Sequence, residues 1–342
     1  MASVIRSLGK GGHGIVEEVK LDGQRYARKT YKEFLSGSVV REVALLSSVE
    51  HPNIVQCKKV VLDTRPQQIY LELADESLYT YSCKGTSLDK VAQVIHGILC
   101  GLKALHDQGL IHGDLTPMNI LMNDGIPQLA DFGGTTYHDA NLRAVNVAWE
   151  SPESLVLGEN DRSGDMWALG IIIYEWLSVK EPWDIRIPRF QLLKAQLEFR
   201  GCPPSGKVRD RLSPSQILHH PPKRVSPFTS REYVEINDLQ LWDDLINGCL
   251  EMDPSSRWNV EQALNSPLFE GLDVPTAKWN FSTSHNLLLH LADGYPEDHE
   301  VYNAAKYLTD SLAGRYTRSC DLEIAARIFE QHQYRLHSAK KQ

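Results

Sequence analysis

Three oxygen-bearing side chains stand at short spacing near the middle of the chain. Asp114 and Asn119 fall within His112-Gly113-Asp114-Leu115-Thr116-Pro117-Met118-Asn119-Ile120-Leu121, and Asp131 follows in Leu129-Ala130-Asp131-Phe132-Gly133. A carboxylate such as Asp114 can accept the proton of an attacking hydroxyl. Asn119 and Asp131 offer hard oxygen donors of the kind Mg2+ takes, and a soft metal does not suit them. Together these are the parts that phosphoryl transfer asks of a protein: a group that positions the nucleophile, and ligands for a metal on the phosphates.

A second set lies near the N-terminus. Gly9-Lys10-Gly11-Gly12-His13-Gly14-Ile15-Val16 has the spacing G-x-G-x-x-G-x-V. Such glycines let backbone N–H groups come close to phosphate oxygens. Alone, the spacing also fits an ordinary hairpin turn, or a dinucleotide fold in which a helix follows the glycines. Here Ile15 to Lys20 alternates as a strand does. Tyr26-Ala27-Arg28-Lys29 follows in a further short strand, and Glu42 comes thirteen residues after Lys29 in a helical stretch. A lysine so placed can hold phosphates if a carboxylate fixes it.

The elements that must position these groups are legible in outline. Val4 to Leu8, Ile15 to Lys20, Arg25 to Thr30 and Ile69 to Leu73 read as strands, with one helix through Val40, Val43 and Leu46. From about residue 88 the pattern is helical. Val91, Val94, Ile95, Ile98, Leu102 and Leu105 share a face, and Met166 to Leu177 is apolar nearly all round, as a buried central helix would be. Residues 184–235 read as loop and short helices, Leu239 to Leu250 as helix, and 273–285 as a linker before a helical tail.

Composition narrows the classes. The chain has 342 residues, 42% of them hydrophobic, and a formal net charge of -8, which argues against nucleic acid as a partner. None of its 6 cysteines forms a CxxC pair, so neither a zinc site nor a redox motif is suggested. The N-terminus lacks the apolar run of a signal peptide, and nothing approaches the roughly 18 apolar residues of a membrane span. A cytoplasmic or nuclear protein is expected.

In this order the strings resemble those of eukaryotic-type protein kinases, over about residues 4–270. Ser151-Pro152-Glu153 resembles the motif that closes the family's activation segment. Asp165-Met166-Trp167-Ala168-Leu169-Gly170 resembles its buried helix, whose aspartate anchors the catalytic loop. Cys249 to Arg257 resembles the late motif whose arginine pairs with the position of Glu153. The resemblance implies an α+β, bilobal fold: a domain at 1–272, with a small antiparallel sheet and one helix at about 1–73 and a mainly helical lobe at 75–272, then a linker and helical extension at 273–342. It implies a protein kinase, of serine/threonine type, that uses ATP and Mg2+ on protein substrates, with ATP between the lobes. It implies that Leu8, Gly9, Gly11 and Gly14 cover the nucleotide, that Val16, Ala27 and Leu121 pack on the adenine, and that Leu71 is the gatekeeper. Backbone groups of Glu72 and Ala74 would bond the adenine. Lys29, oriented by Glu42, would bind phosphates, Asp114 would be the base, and Asn119 and Asp131 would hold the metal. The wording from Asp114 to Asn119 is similar to that of protein kinases of large DNA viruses such as herpesviruses, whereas His51-Pro52-Asn53-Ile54-Val55 looks more like cellular kinases.

The chain also departs from the family's pattern. Gly113 stands where an arginine usually meets an activating phosphate, Thr116 stands where serine/threonine kinases carry a lysine, and Asn146 replaces a usual threonine. These departures keep two other classes in view: a pseudokinase scaffold, and a small-molecule phosphotransferase of the aminoglycoside or choline kinase type. In the tail, Val301, Ala304, Ala305, Leu308 and Leu312 share a helical face, as do Leu322, Ala325, Ala326 and Phe329. Such faces need a surface to pack on, in cis or on a regulatory protein.

Overall fold

The computed structural model describes residues 2–11, 14–32, 37–61, 66–137, 147–158, 161–184, 186, 188–201, 222–228 and 236–280. The tail helices expected after residue 285, Asn146, and much of the stretch 184–235 lie outside the described residues. The chain forms two compact units. One takes Met1–Glu76, Leu121–Thr135 and the chain from Pro275; the other takes Ser77–Ile120 and Thr136–Val274.

The first unit is built on a five-stranded sheet, all of its pairs antiparallel, in the order β1-β2-β3-β6-β5. The strands are β1 (Ser3–Lys10), β2 (Gly14–Leu21), β3 (Gln24–Tyr31), β5 (Cys57–Val61) and β6 (Gln68–Leu71). Between β2 and β3 the chain reverses in two residues, Asp22 and Gly23, with φ of 50° and 85°. Positive φ at both positions suits the right-handed twist of the flanking strands, and Asp-Gly is the pair that tolerates it. Helix α1 (Gly37–Ser48) buries Val43 and Leu46 together with Glu42. It runs directly into the two-residue strand β4 (Val49–Glu50).

The first unit does not end at residue 73. The hairpin through Ile120–Asn123 and Ile126–Leu129 returns to it, because Leu129 bridges the chain beside Ile54. Leu129 N–H donates to Asn53 O and Val55 N–H donates to Leu129 O, both at 2.9 Å. The start of the expected linker also returns. Lys278–Trp279 pairs antiparallel with β4, and Asn280 N–H donates to Ser48 O at 2.7 Å. His51 Nδ1 accepts from Asn53 N–H at 3.1 Å, so its Nε2–H is left to donate to Pro275 O at 3.3 Å. A two-residue strand has no periodicity to read, which is why this stretch looks like a linker in the sequence.

The second unit is helical: α2 (Leu78–Ser82), α3 (Leu88–His106), α4 (Pro152–Leu157), α5 (Arg162–Ser178), α6 (Arg189–Phe199), α7 (Ile236–Cys249) and α8 (Val260–Leu264). Ser87 caps α3, and all six residues of its apolar stripe are buried. Helix α5 is buried through most of its length, and Gly170 lets it approach the end of α7: a Cβ there would lie 2.9 Å from the Cβ of Cys249 and 2.8 Å from the next residue, Leu250. Glu153 and Arg257 form a buried two-pronged ion pair at 2.6 and 2.9 Å, as the resemblance implied. Arg257 also donates to the carbonyls of Glu251 and Ser163, so the pair's desolvation is met by added hydrogen bonds. Among the described residues no helix is long and apolar enough to cross a membrane.

Candidate active site

In the first unit the site begins with strand register. Val16 lies opposite Lys29, and Ala27 lies opposite Leu71. Directly paired residues share a face, and so do residues two apart on β3, so Val16, Ala27, Lys29 and Leu71 line one side of the sheet. Ala27 and Leu71 are buried, Val16, Ala74 and Leu121 are half-buried, and Leu8 on the edge strand is exposed. Glu72 N–H donates to Gln56 O at 2.9 Å, so the backbone group it can offer a ligand is its carbonyl.

The three glycines differ in what they do for the chain itself. A Cβ on Gly14 would collide with the Thr30 carbonyl of β3, whereas one on Gly9 or Gly11 would meet nothing within 4 Å. Gly14 is therefore required by packing. Gly9 and Gly11 leave open space above the backbone. Gly11 N–H closes a turn on Gly14 O at 3.0 Å, and the Lys32 ammonium donates to Gly11 O at 2.7 Å.

Lys29 is the centre of a charged cluster. Its Nζ donates to both Glu42 oxygens at 2.7 and 2.8 Å and to Asp131 Oδ1 at 2.9 Å. Burial works against the ammonium, but the two carboxylates outweigh it and raise the lysine's pKa. Burial likewise pushes the Glu42 carboxyl up, a shift that Lys29 only partly offsets. Tyr31 OH donates to Glu42 Oε2 at 3.0 Å, and its ring lies 5.5 Å from Lys29 Nζ. Sequence reasoning missed Tyr31; its place two residues beyond Lys29 on a strand was the available signal. Asp131 has left-handed backbone, φ 59° and ψ 71°. Its side chain is 39% exposed, so the carboxylate is reachable from solvent.

The second unit holds Asp114 and Asn119. Asn119 Nδ2 donates to the carbonyl and to Oδ2 of Asp114, at 2.8 and 2.9 Å. With Nδ2 committed, Oδ1 is the atom Asn119 can turn to a metal. Asn119 N–H reaches Thr116 O at 3.0 Å and Thr116 Oγ1 at 3.3 Å, so the buried threonine in the lysine's place closes the turn that carries Asn119. Asp165 secures the loop's entry. Its carboxylate accepts from the backbone N–H of His112 at 2.8 Å, from that of Gly113 at 2.9 Å, and from His106 Nε2 at 2.9 Å. Burial alone would raise its pKa, but these donors, His106 foremost, hold it below the usual carboxylate range. Gly113 has φ 77°, a conformation glycine adopts without strain. His106 was not singled out from the sequence, where it reads as the end of an apolar helix.

The donor chemistry fits Mg2+: a reachable carboxylate on Asp131 and an amide oxygen on Asn119 are both hard ligands. Among the described residues no group of three His, Cys, Asp or Glu side chains is gathered to hold a metal without further help. A metal that shares its coordination sphere with phosphate oxygens and water needs no such group.

Comparison with known proteins agrees with these features. The family model described as protein kinase domain matches residues 2–269. The chain is similar to the cyclin-dependent kinase 4 homolog of Caenorhabditis elegans, 29% identical over 297 residues that cover 78% of this chain and 70% of that protein. It is 27% identical to the mitogen-activated protein kinase homolog NTF6 of Nicotiana tabacum over 293 residues, 78% and 77% of the two chains. With the mitogen-activated protein kinase hog1 of Botryotinia fuckeliana the identity is 26% over 340 residues, 90% and 94% of the two chains. The chain belongs to the protein kinase family. It is an ATP-dependent serine/threonine protein kinase with the bilobal fold of that family, whose members use ATP and Mg2+.

Proposed function

We propose that this kinase divides its chemistry between the two polar centres. Lys29, oriented by Glu42, binds the α- and β-phosphates of ATP beneath the backbone of Gly9, Gly11 and Gly14. Val16, Ala27 and Leu121 pack on the adenine beside Leu71, with backbone groups of Glu72 and Ala74 as its hydrogen-bond partners. Asp131 and Asn119 hold Mg2+, which neutralises charge on the phosphates when bound. Asp114 accepts the proton of a serine or threonine hydroxyl on the protein substrate. The observation that carries this reading is Lys29, an ammonium at least nine-tenths buried and held by two carboxylates from separate parts of the chain. Two carboxylates offset the cost of burying this cation, and such buried charge clusters are found preferentially at functional sites.

Gly113 and Thr116 remove two positive charges from the catalytic loop, so activity in this reading is slow relative to kinases that carry them and does not wait for a phosphate on the activation segment. We place the enzyme in the cytoplasm or nucleus; the apolar faces expected beyond Asn280 serve packing in cis on the kinase, with a regulatory protein as the alternative. Turnover of ATP with Mg2+ and a generic protein substrate, followed by phosphoamino-acid analysis, tests the assignment. Phosphoserine or phosphothreonine is expected. Nucleotide binding without transfer would indicate a scaffold, and transfer only to small alcohols a different phosphotransferase.

A further inference from the structure

Ser151 stands at the N-cap of α4 with extended backbone, φ -73° and ψ 157°. A serine there ordinarily turns its hydroxyl onto an N–H of the first helical turn. Ser151 makes no such bond; the helix start is held instead by Leu155 N–H on the Ser151 carbonyl, at 3.1 Å. The residue is 2% exposed, and its Oγ has no hydrogen-bond partner among the described residues. Native chains seldom leave a buried hydroxyl in that state without water or another group to meet it.

Beside Ser151 is a cavity of about 20 Å3, lined also by Gly113, Asp114, Glu150, Gly164 and Asp165. One water molecule needs roughly 10–15 Å3 of such space and two to four polar partners, and this cavity provides both. It is far too small for a nucleotide or a peptide. Gly113 and Gly164 put no side chain into it. The loop of Asp114 therefore borders a small cavity of mixed lining, Leu115, Trp149 and Ala168 included, and the Ser151 hydroxyl, without a partner among the described residues, is on its wall.

We propose that the cavity holds one ordered water that links the Ser151 hydroxyl to the catalytic loop at Asp114, and that Ser151 is thereby a positioning residue for the base. The inference rests on the role proposed for Asp114. The water ties the start of α4 to the loop by hydrogen bonds alone. It is local reinforcement for a loop whose second residue is a glycine and contributes no side-chain contact.

A high-resolution crystal structure of the full chain is the first test. One buried water within hydrogen-bond distance of Ser151 Oγ and an oxygen or N–H of the Asp114 loop is expected; a dry cavity overturns the proposal. Steady-state kinetics of Ser151→Ala and Ser151→Cys is the second. For Ser151→Ala, kcat is expected to fall about tenfold, the loss of one buried hydrogen-bond link, while KM for ATP and for protein substrate stay within about twofold. Ser151→Cys keeps the volume with a weaker hydrogen-bonding group and should fall between. Wild-type kcat in Ser151→Ala, or a fall in kcat matched by rises in both KM values and a lower Tm, overturns the positioning role. If the water is present but Asp114→Asn retains activity, the role of Asp114 fails and the water stands.

Discussion

The two polar centres are held together in different ways. Around Lys29 the cohesion is between charged side chains: an ammonium from β3, a carboxylate from α1 and a third group from Asp131, with Tyr31 adding a hydroxyl. Around Asp114 it is largely a matter of backbone: Asp165 grips two main-chain N–H groups, and Asn119 grips a carbonyl as well as a carboxylate. The first centre depends on which residues are present. The second depends on the path of the chain, with Gly113 at φ 77° and Thr116 closing the turn that carries Asn119. Substitution should therefore harm the first centre through charge and the second through geometry.

The largest effect is expected at the first centre. Lys29→Met should lower phosphorylation by about three orders of magnitude, since positioning and charge stabilisation carry most of this chemistry. The protein should stay folded, because the Glu42 carboxyl, already pushed up by burial, can take a proton once its partner is gone. Activity assays and thermal unfolding check both halves. Activity within a few-fold of wild type would remove Lys29 from the site.

A half-buried carboxylate in the second unit provides the contrast. Glu175 has Trp149 Nε1–H at 3.2 Å and, among the described residues, no cation; partial burial, with Glu181 adding to it, lifts its pKa to about 7. As pH rises from about 4.5 to about 7 the unfolded chain releases this proton while the folded chain keeps it. Stability therefore falls across that window and levels off above it. Glu175→Gln removes the titrating carboxyl. Above pH 7 the variant should be more stable than wild type by on the order of 2–3 kcal/mol, and near pH 4.5 about equal. Urea unfolding at pH 5 and pH 8 measures it; a difference that does not grow with pH contradicts the shift.

The smallest effect concerns the missing arginine. Thr135, Thr136 and Tyr137 follow Gly133 in the activation segment, but Gly113 offers no guanidinium to a phosphate on any of them. Phosphatase treatment should change activity by less than about twofold. A large loss would mean that another basic residue, such as Arg143, has taken over the task.

The same contrast decides what the sequence could tell. Lys29, Glu42, Asp114, Asn119 and Asp131 are legible because their chemistry is in the residue type and their order matches a family. The antiparallel sheet and helix α3 are legible because their periods run long enough to count. Gly113 reads as a deficit in the sequence; only the backbone shows the φ of 77° that glycine adopts freely. Tyr31 and His106 act through tertiary neighbours that no local pattern names. The return of Leu129 to Ile54, and of Lys278–Trp279 to β4, rests on a few backbone hydrogen bonds between distant segments, which leave no periodic trace.

The most direct test of the division of labour is Asp114→Asn, with ATP affinity and turnover measured on the same preparation. The account predicts that ATP binds within about twofold of wild type, because Lys29 and its carboxylates are untouched, while kcat falls at least about a hundredfold, as the loss of a catalytic base implies. Turnover close to wild type, or a loss of ATP binding as large as the loss of turnover, would contradict it.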